Sequence, residues 1–205
     1  MKNQLRTLAL GLAALSIGAG SLAATTSAAD GAASAPDRAT RTALTFTIDD
    51  CEGCRVQLHQ GLERPDSKRP RMWESAERTV RGGKVTFRIP TKRTWGMSAT
   101  VVAPWEGHTG YLTTVAFRYA GKRVGDPVSL AEARAADAAS ACWAGTRRAR
   151  VTVPVVVERV RVDGVHRKVP GSIAYTPTTE DWTSEPRAAW DGVLGSQDFD
   201  VCGQR

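Results

Sequence analysis

Short apolar runs that alternate with polar residues recur along most of this chain, and that period of two constrains the fold more than any other feature. Leu44, Phe46 and Ile48 alternate with Thr45 and Thr47, and Val56 and Leu58 resume the pattern. Val85, Phe87 and Ile89 alternate with Thr86 and Arg88 and stop at Pro90; Met97, Ala99, Val101 and Ala103 stop at Pro104. Tyr111, Thr113, Val115, Phe117 and Tyr119 share a further face. Successive strand side chains point to opposite faces, so each run predicts a strand with one face on a core. Val151, Val153, Val155 and Val157 share a phase that Val160 and Val162 leave, which predicts a bulge near Glu158. Pro154 has no N–H to give a ladder and places that strand at an edge or a bulge.

Turn chemistry punctuates these runs. Gly82-Gly83 and Asp163-Gly164 are hairpin dipeptides. Cys51-Glu52-Gly53-Cys54, between two alternating runs, is expected at the tip of a hairpin. The charged stretch Glu63–Arg71, with Pro65 and Pro70, reads as a surface loop. One helix is predicted near 129–143: Ser129 and Glu132 have capping-box spacing, an Ala-rich stretch follows, and Gly145 is a natural stop. Seven or eight short strands and one helix predict an all-β, antiparallel β-sandwich of immunoglobulin-like or transthyretin-like type, with a barrel as the alternative.

The first 29 residues stand apart. Lys2 and Arg6 precede the uncharged run Leu8–Ala19, too short to cross a bilayer core of about 30 Å as a helix. Ser27-Ala28-Ala29 then puts small side chains before Asp30, the layout of a signal peptide cleaved near Ala29. The expectation is an extracellular protein without a transmembrane segment: a disordered leader over 30–42, then a single disulfide-stapled β domain over 43–205. Without Lys2 and Arg6, 26 basic residues face 21 acidic ones. Arginine outnumbers lysine 22 to 6 and Asn3 is the sole asparagine, a composition that resembles high-GC, actinobacterial-type coding. Coding bias therefore accounts for much of the basic charge. The cations are also interspersed with acids, so a solvated surface is expected and nucleic acid is not the expected partner.

An even cysteine count in an exported chain reads as disulfides. Spacing favours Cys51–Cys54 with Cys142–Cys202, the second pinning the C-terminal tail. A redox role for Cys51 and Cys54 would need a helix N-terminus to lower a thiol pKa. A strand follows instead, and Asp49, Asp50 and Glu52 add negative charge. A structural zinc there would have only His59 as a further nearby ligand.

The chain has no nucleophile elbow, no zinc-protease helix and no phosphate-binding glycine loop. It has three histidines. His166 belongs to the second hairpin, His59 ends the early one, and His108 lies in the loop Trp105-Glu106-Gly107-His108-Thr109-Gly110, where Glu106 could orient it. Trp143 is expected to pack on a disulfide. Trp95 and Trp105 flank one strand from opposite ends, roughly 20 Å apart at strand dimensions. A loop tryptophan can stack on a sugar or anchor an interface.

The expectation is a secreted, non-catalytic binding module whose partner is an extracellular glycan or protein, with no cofactor and no metal required. Trp95, Trp105, Glu106 and His108 are its candidate contact residues. One alternative is a secreted enzyme using Glu106 and His108, or a metal near Cys51, Cys54 and His59. Another is a protease inhibitor presenting Arg64-Pro65 or the Lys92-Arg93-Thr94 turn.

Overall fold

Wherever the alternation is strict, the chain is strand. The computed structural model describes residues 39–62, 71–106, 112–129, 131–132, 138–163, 166–181, 186–188 and 200–202, all within one compact unit, Asp37–Arg205. In chain order the strands are β1 (Arg41–Thr47), β2 (Arg55–Gly61), β3 (Met72–Glu74), β4 (Arg78–Thr79), β5 (Lys84–Pro90), β6 (Met97–Val102) and β7 (Thr113–Ala116). They continue as β8 (Arg118–Tyr119), β9 (Ala139–Ser140), β10 (Arg150–Pro154), β11 (Val156–Asp163), β12 (Lys168–Tyr175), β13 (Pro186–Ala188) and β14 (Asp200–Cys202).

Two sheets dominate. One has the order β10-β1-β5; the other runs β11-β12-β7-β6-β2-β3, with β4 also paired to β2. Leu44, Phe46, Phe87, Ile89 and Val153 from the first sheet share one core cluster with Val56, Leu58, Met97, Ala99, Val101, Val115, Val157 and Ala174 from the second. Phe46 and Phe87 meet edge to face at 6.2 Å between ring centres. Removing such a side chain from water contributes roughly 1.5–3 kcal/mol, so the alternating residues supply most of what holds the sheets.

The pairing is not purely antiparallel, as the sequence reading expected. β1 runs parallel to β10, and β12 parallel to β7. The cause is repeated sheet-switching. The chain leaves β1 in the smaller sheet and enters β2 in the larger one, so Cys51 and Cys54 staple a corner rather than the tip of a hairpin. Both are buried in the core, with Cα atoms 5.4 Å apart. Gly82 and Gly83, at φ 56° and 69°, turn the chain from β4 in the larger sheet to β5 in the smaller. Two consecutive positive φ angles are what a tight primed turn demands and what glycine supplies.

A further switch occurs between β10 and β11, at Val155. No bulge forms at Glu158: the β11–β12 register is continuous from Val156↔Tyr175 to Asp163↔Lys168. Val160 and Val162 instead lie on the opposite face from Val157, where Val162 packs over Gly171; a Cβ there would sit 2.6 Å from it. β10 is an edge strand, as Pro154 requires.

The predicted helix is corrected at its far end. The Ser129–Glu132 capping box is present, with the Ser129 N–H donating to Glu132 Oε2 at 2.9 Å and the Glu132 N–H to Ser129 Oγ at 3.3 Å. Residues 133–137 lie outside the described residues. Ala139–Ser140 is strand, paired with β8; alanine-rich sequence favours helix only weakly, and tertiary pairing outweighs it here. The boundary expected at residue 42 falls earlier, because β1 starts at Arg41 and Thr42 is fully buried; residues 30–38 lie outside the described residues. Cys142 pairs with Cys202 at a Cα separation of 5.5 Å, and this bond holds β14 against β2 and β6. No helix among the described residues is long and apolar enough to cross a membrane.

Candidate functional site

Pro90 ends β5, and residues Thr91–Thr94 form one turn of 3-10 helix before Gly96, at φ 64°, redirects the chain into β6. Buried polar groups fix this turn from below. The Thr91 N–H donates to Thr40 O at 3.0 Å, and the Thr91 and Thr42 hydroxyls meet at 3.0 Å. Thr94 donates its hydroxyl to Thr91 O at 2.7 Å and accepts the Thr146 N–H at 3.0 Å. Gln60, 1% exposed, donates its amide to the carbonyls of Lys92 and Trp95 at 3.1 and 2.7 Å. Its oxygen accepts Arg93 Nη1 at 3.1 Å. A glutamine so placed meets three hydrogen-bonding needs of the turn at once, which few other side chains can do.

On this base stands Trp95, 43% exposed although large and apolar. Its Nε1–H donates to Thr146 O at 3.3 Å, and the Arg147 guanidinium lies 5.7 Å from its ring centre. Around them opens a concavity of about 510 Å³ lined by Ala39, Thr40, Pro90, Thr91, Lys92, Trp95 and Arg147. Lys92 and Arg147 are exposed, and among the described residues no carboxylate lines the concavity. Behind the turn, Arg93 lies 5.7 Å from the ring centre of Trp73. The surface is therefore apolar at its floor, cationic at its rim and rigidly supported.

Gly145 completes the support. Its φ is 82°, and a Cβ there would lie 2.8 Å from the Thr94 carbonyl and hydroxyl. Gly145→Ala is expected to cost about 2 kcal/mol, combining left-handed strain with the clash. A urea titration checks this: an unchanged midpoint would show that the 143–148 segment does not brace the turn.

The other expected residues separate from this site. Trp105 is half-buried against the core and donates Nε1–H to Gly171 O at 3.3 Å. Glu106 accepts the Thr113 hydroxyl at 3.4 Å beside a smaller pocket of about 170 Å³ that also holds Asp126, Ser172 and Val162. His108 and Arg64-Pro65 lie outside the described residues. Trp143, expected on a disulfide, is stacked on Phe117 at 6.3 Å between ring centres. Arg93 is drawn inward to Gln60 on a helical turn, whereas an inhibitor loop of the substrate-like kind is extended.

Cys51 and Cys54 are bonded to each other, so neither offers a thiolate to a ligand set with His59. His59 sits on the face of β2 opposite Val56 and Leu58. Among the described residues, no three His, Cys, Asp or Glu side chains gather at metal-binding distance. The Nε2 of His59 is 2.9 Å from Thr100 Oγ1 and its Nδ1 is 3.7 Å from Glu74 Oε1, an arrangement that on paper resembles a nucleophile, a base and its orienter. Burial argues against that use: Thr100 is 4% exposed and His59 2%. Burial also pushes the imidazole pKa down to about 4, which makes it a poor base.

No protein-family model matches the chain, and no curated protein or solved structure shows a significant match.

Proposed function

We propose that this is a secreted, non-catalytic binding module that holds an extracellular glycan at the Trp95 surface. The observation that carries the reading is an exposed tryptophan on a turn fixed by buried Gln60, Thr91 and Thr94. Indole offers a large apolar face with little rotational entropy to lose, and sugar rings present flat C–H faces to it. A concavity of this volume takes ring-sized units, within the range of ordinary ligand sites. The two large sheets are read as the layers of a β-sandwich, supported by the core cluster they share. Export rests on residues 1–29 and agrees with two disulfides in the folded part.

Trp95→Ala is expected to weaken retention on purified cell-wall glycan about 30-fold, the loss of a hot-spot side chain. The same variant should keep its unfolding midpoint within about 2 °C, since an exposed side chain contributes little stability. Equal retention by wild type and variant would overturn the assignment. Capture of a protein instead of glycan, lost in the same variant, would redirect it to the second partner class.

A further inference from the structure

We infer that the Trp95 site selects acidic glycans, with the anionic group of a sugar residue seated between Lys92 and Arg147 while its ring lies against the indole. This rests on the glycan reading above and adds the chemistry of the ligand. Three observations point there. The concavity has two cationic side chains at its rim and, among the described residues that line it, none of opposite sign. Some other surface cations, by contrast, have a carboxylate beside them: Arg55 pairs with Glu77, Lys122 with Glu132, and Arg123 with Asp126. Lastly, Arg147 lies over the Trp95 ring at 5.7 Å, held by cation–π attraction in a partly exposed place.

That stacking has a consequence for recognition. Cation–π attraction at an exposed site is weak, about 0.5–1 kcal/mol. A planar guanidinium makes stronger, paired hydrogen bonds to a carboxylate or phosphate. An acidic sugar therefore offers Arg147 a better partner than the indole. When Arg147 swings toward the anion, the ring face it covered becomes available to the sugar. A neutral sugar must displace the guanidinium without that return. The same residue thus shields the aromatic platform and reads the ligand's charge, while Lys92 adds a second, less directional positive charge.

The carboxylate and the phosphodiester are the two sources of that charge, and the test separates them. Binding of the folded protein would be measured by calorimetry against three probes: polyglucuronate, a poly(N-acetylglucosamine 1-phosphate) and neutral dextran. At least one anionic probe is expected to bind 10-fold or more tighter than dextran, and whichever is tighter identifies the source. Arg147→Gln and Lys92→Gln are each expected to weaken that probe by about 5–10-fold, with Arg147→Lys recovering only part of the loss. Arg147→Gln should leave dextran unchanged or bind it slightly better, because the indole is uncovered. Raising salt from 50 to 300 mM should weaken the anionic probe and spare dextran.

Equal binding of all three probes, lost only in Trp95→Ala, would overturn charge selection and keep the glycan reading. No binding of any probe, by wild type as well as variants, would overturn both. A cation variant that weakens anionic and neutral probes alike would also overturn the assignment, since it would show a structural effect rather than charge recognition.

Discussion

Replacing Cys142 and Cys202 together by serine is expected to lower the unfolding midpoint by about 8–16 °C. The bond closes a loop with a sequence separation of 60 residues. Releasing such a loop in the unfolded chain costs about 4 kcal/mol in the chain-entropy model, and each kcal/mol shifts the midpoint by about 2–4 °C in a domain of this size. The folded state suffers too, because the bond holds β14 against β2 and β6. The short Cys51–Cys54 loop, with a separation of 3, constrains the unfolded chain much less, so its double serine variant should shift the midpoint by less than half as much. Calorimetry of both variants decides the matter, and a reversed order would overturn the account.

The second large effect is on pH. Burial lowers the His59 pKa from 6.5 to about 4. Glu74, 3.7 Å away, does not reverse this; its side chain is 45% exposed, so water screens it. In the unfolded chain the imidazole takes up a proton near pH 6.5, while in the folded protein it stays neutral until about pH 4. Between those values the unfolded state binds more protons, so stability falls as pH falls. The loss begins near pH 6.5, is complete near pH 4, and totals about 3 kcal/mol at 1.4 kcal/mol per pH unit. Other acid-sensitive groups overlap the lower end of that window, which is why the comparison must be with His59→Gln. An amide can still reach the Thr100 hydroxyl but does not titrate. Chemical denaturation from pH 4 to 7.5 should give parallel curves above pH 6.5 that converge as the pH drops. A constant gap across the range would show that His59 does not titrate differently on folding.

Strands were the readable part of the sequence, because a half-buried strand must alternate and Leu44–Ile48 or Val85–Ile89 had no other good use. Sheet membership was not readable. Alternation states which side chains face a core but not which strand lies alongside, so the Cys51–Cys54 corner looked like a hairpin tip. Val160 and Val162 misled for a related reason: a strand that stays in register can carry half-buried apolar residues on the face opposite its core contact. The site was half visible. Trp95 stood out as a tryptophan near a turn, but its partners Gln60, Thr146 and Arg147 are 35, 51 and 52 residues away. Nothing local in Gln60 distinguishes it from a surface glutamine; only folding puts two carbonyls and a guanidinium around it.

The three sheet-switching points described above converge. The Ile48 N–H reaches Gly83 O at 2.8 Å, and the Val155 N–H reaches Thr47 O at 2.9 Å. A Cβ on Gly83 would come within 2.9 Å of the Asp49 carboxylate. The smaller sheet cannot close until segments more than a hundred residues apart in the chain, β1 and β10, meet at this one corner. The entropic barrier to such a meeting is crossed late, and folding dominated by distant pairings takes milliseconds to seconds. During that interval the chain is long, pliable and without fixed strand edges, the state in which a polypeptide can still be threaded through a narrow passage. A topology that delays its own completion suits a protein proposed to finish folding only after it has left the cell.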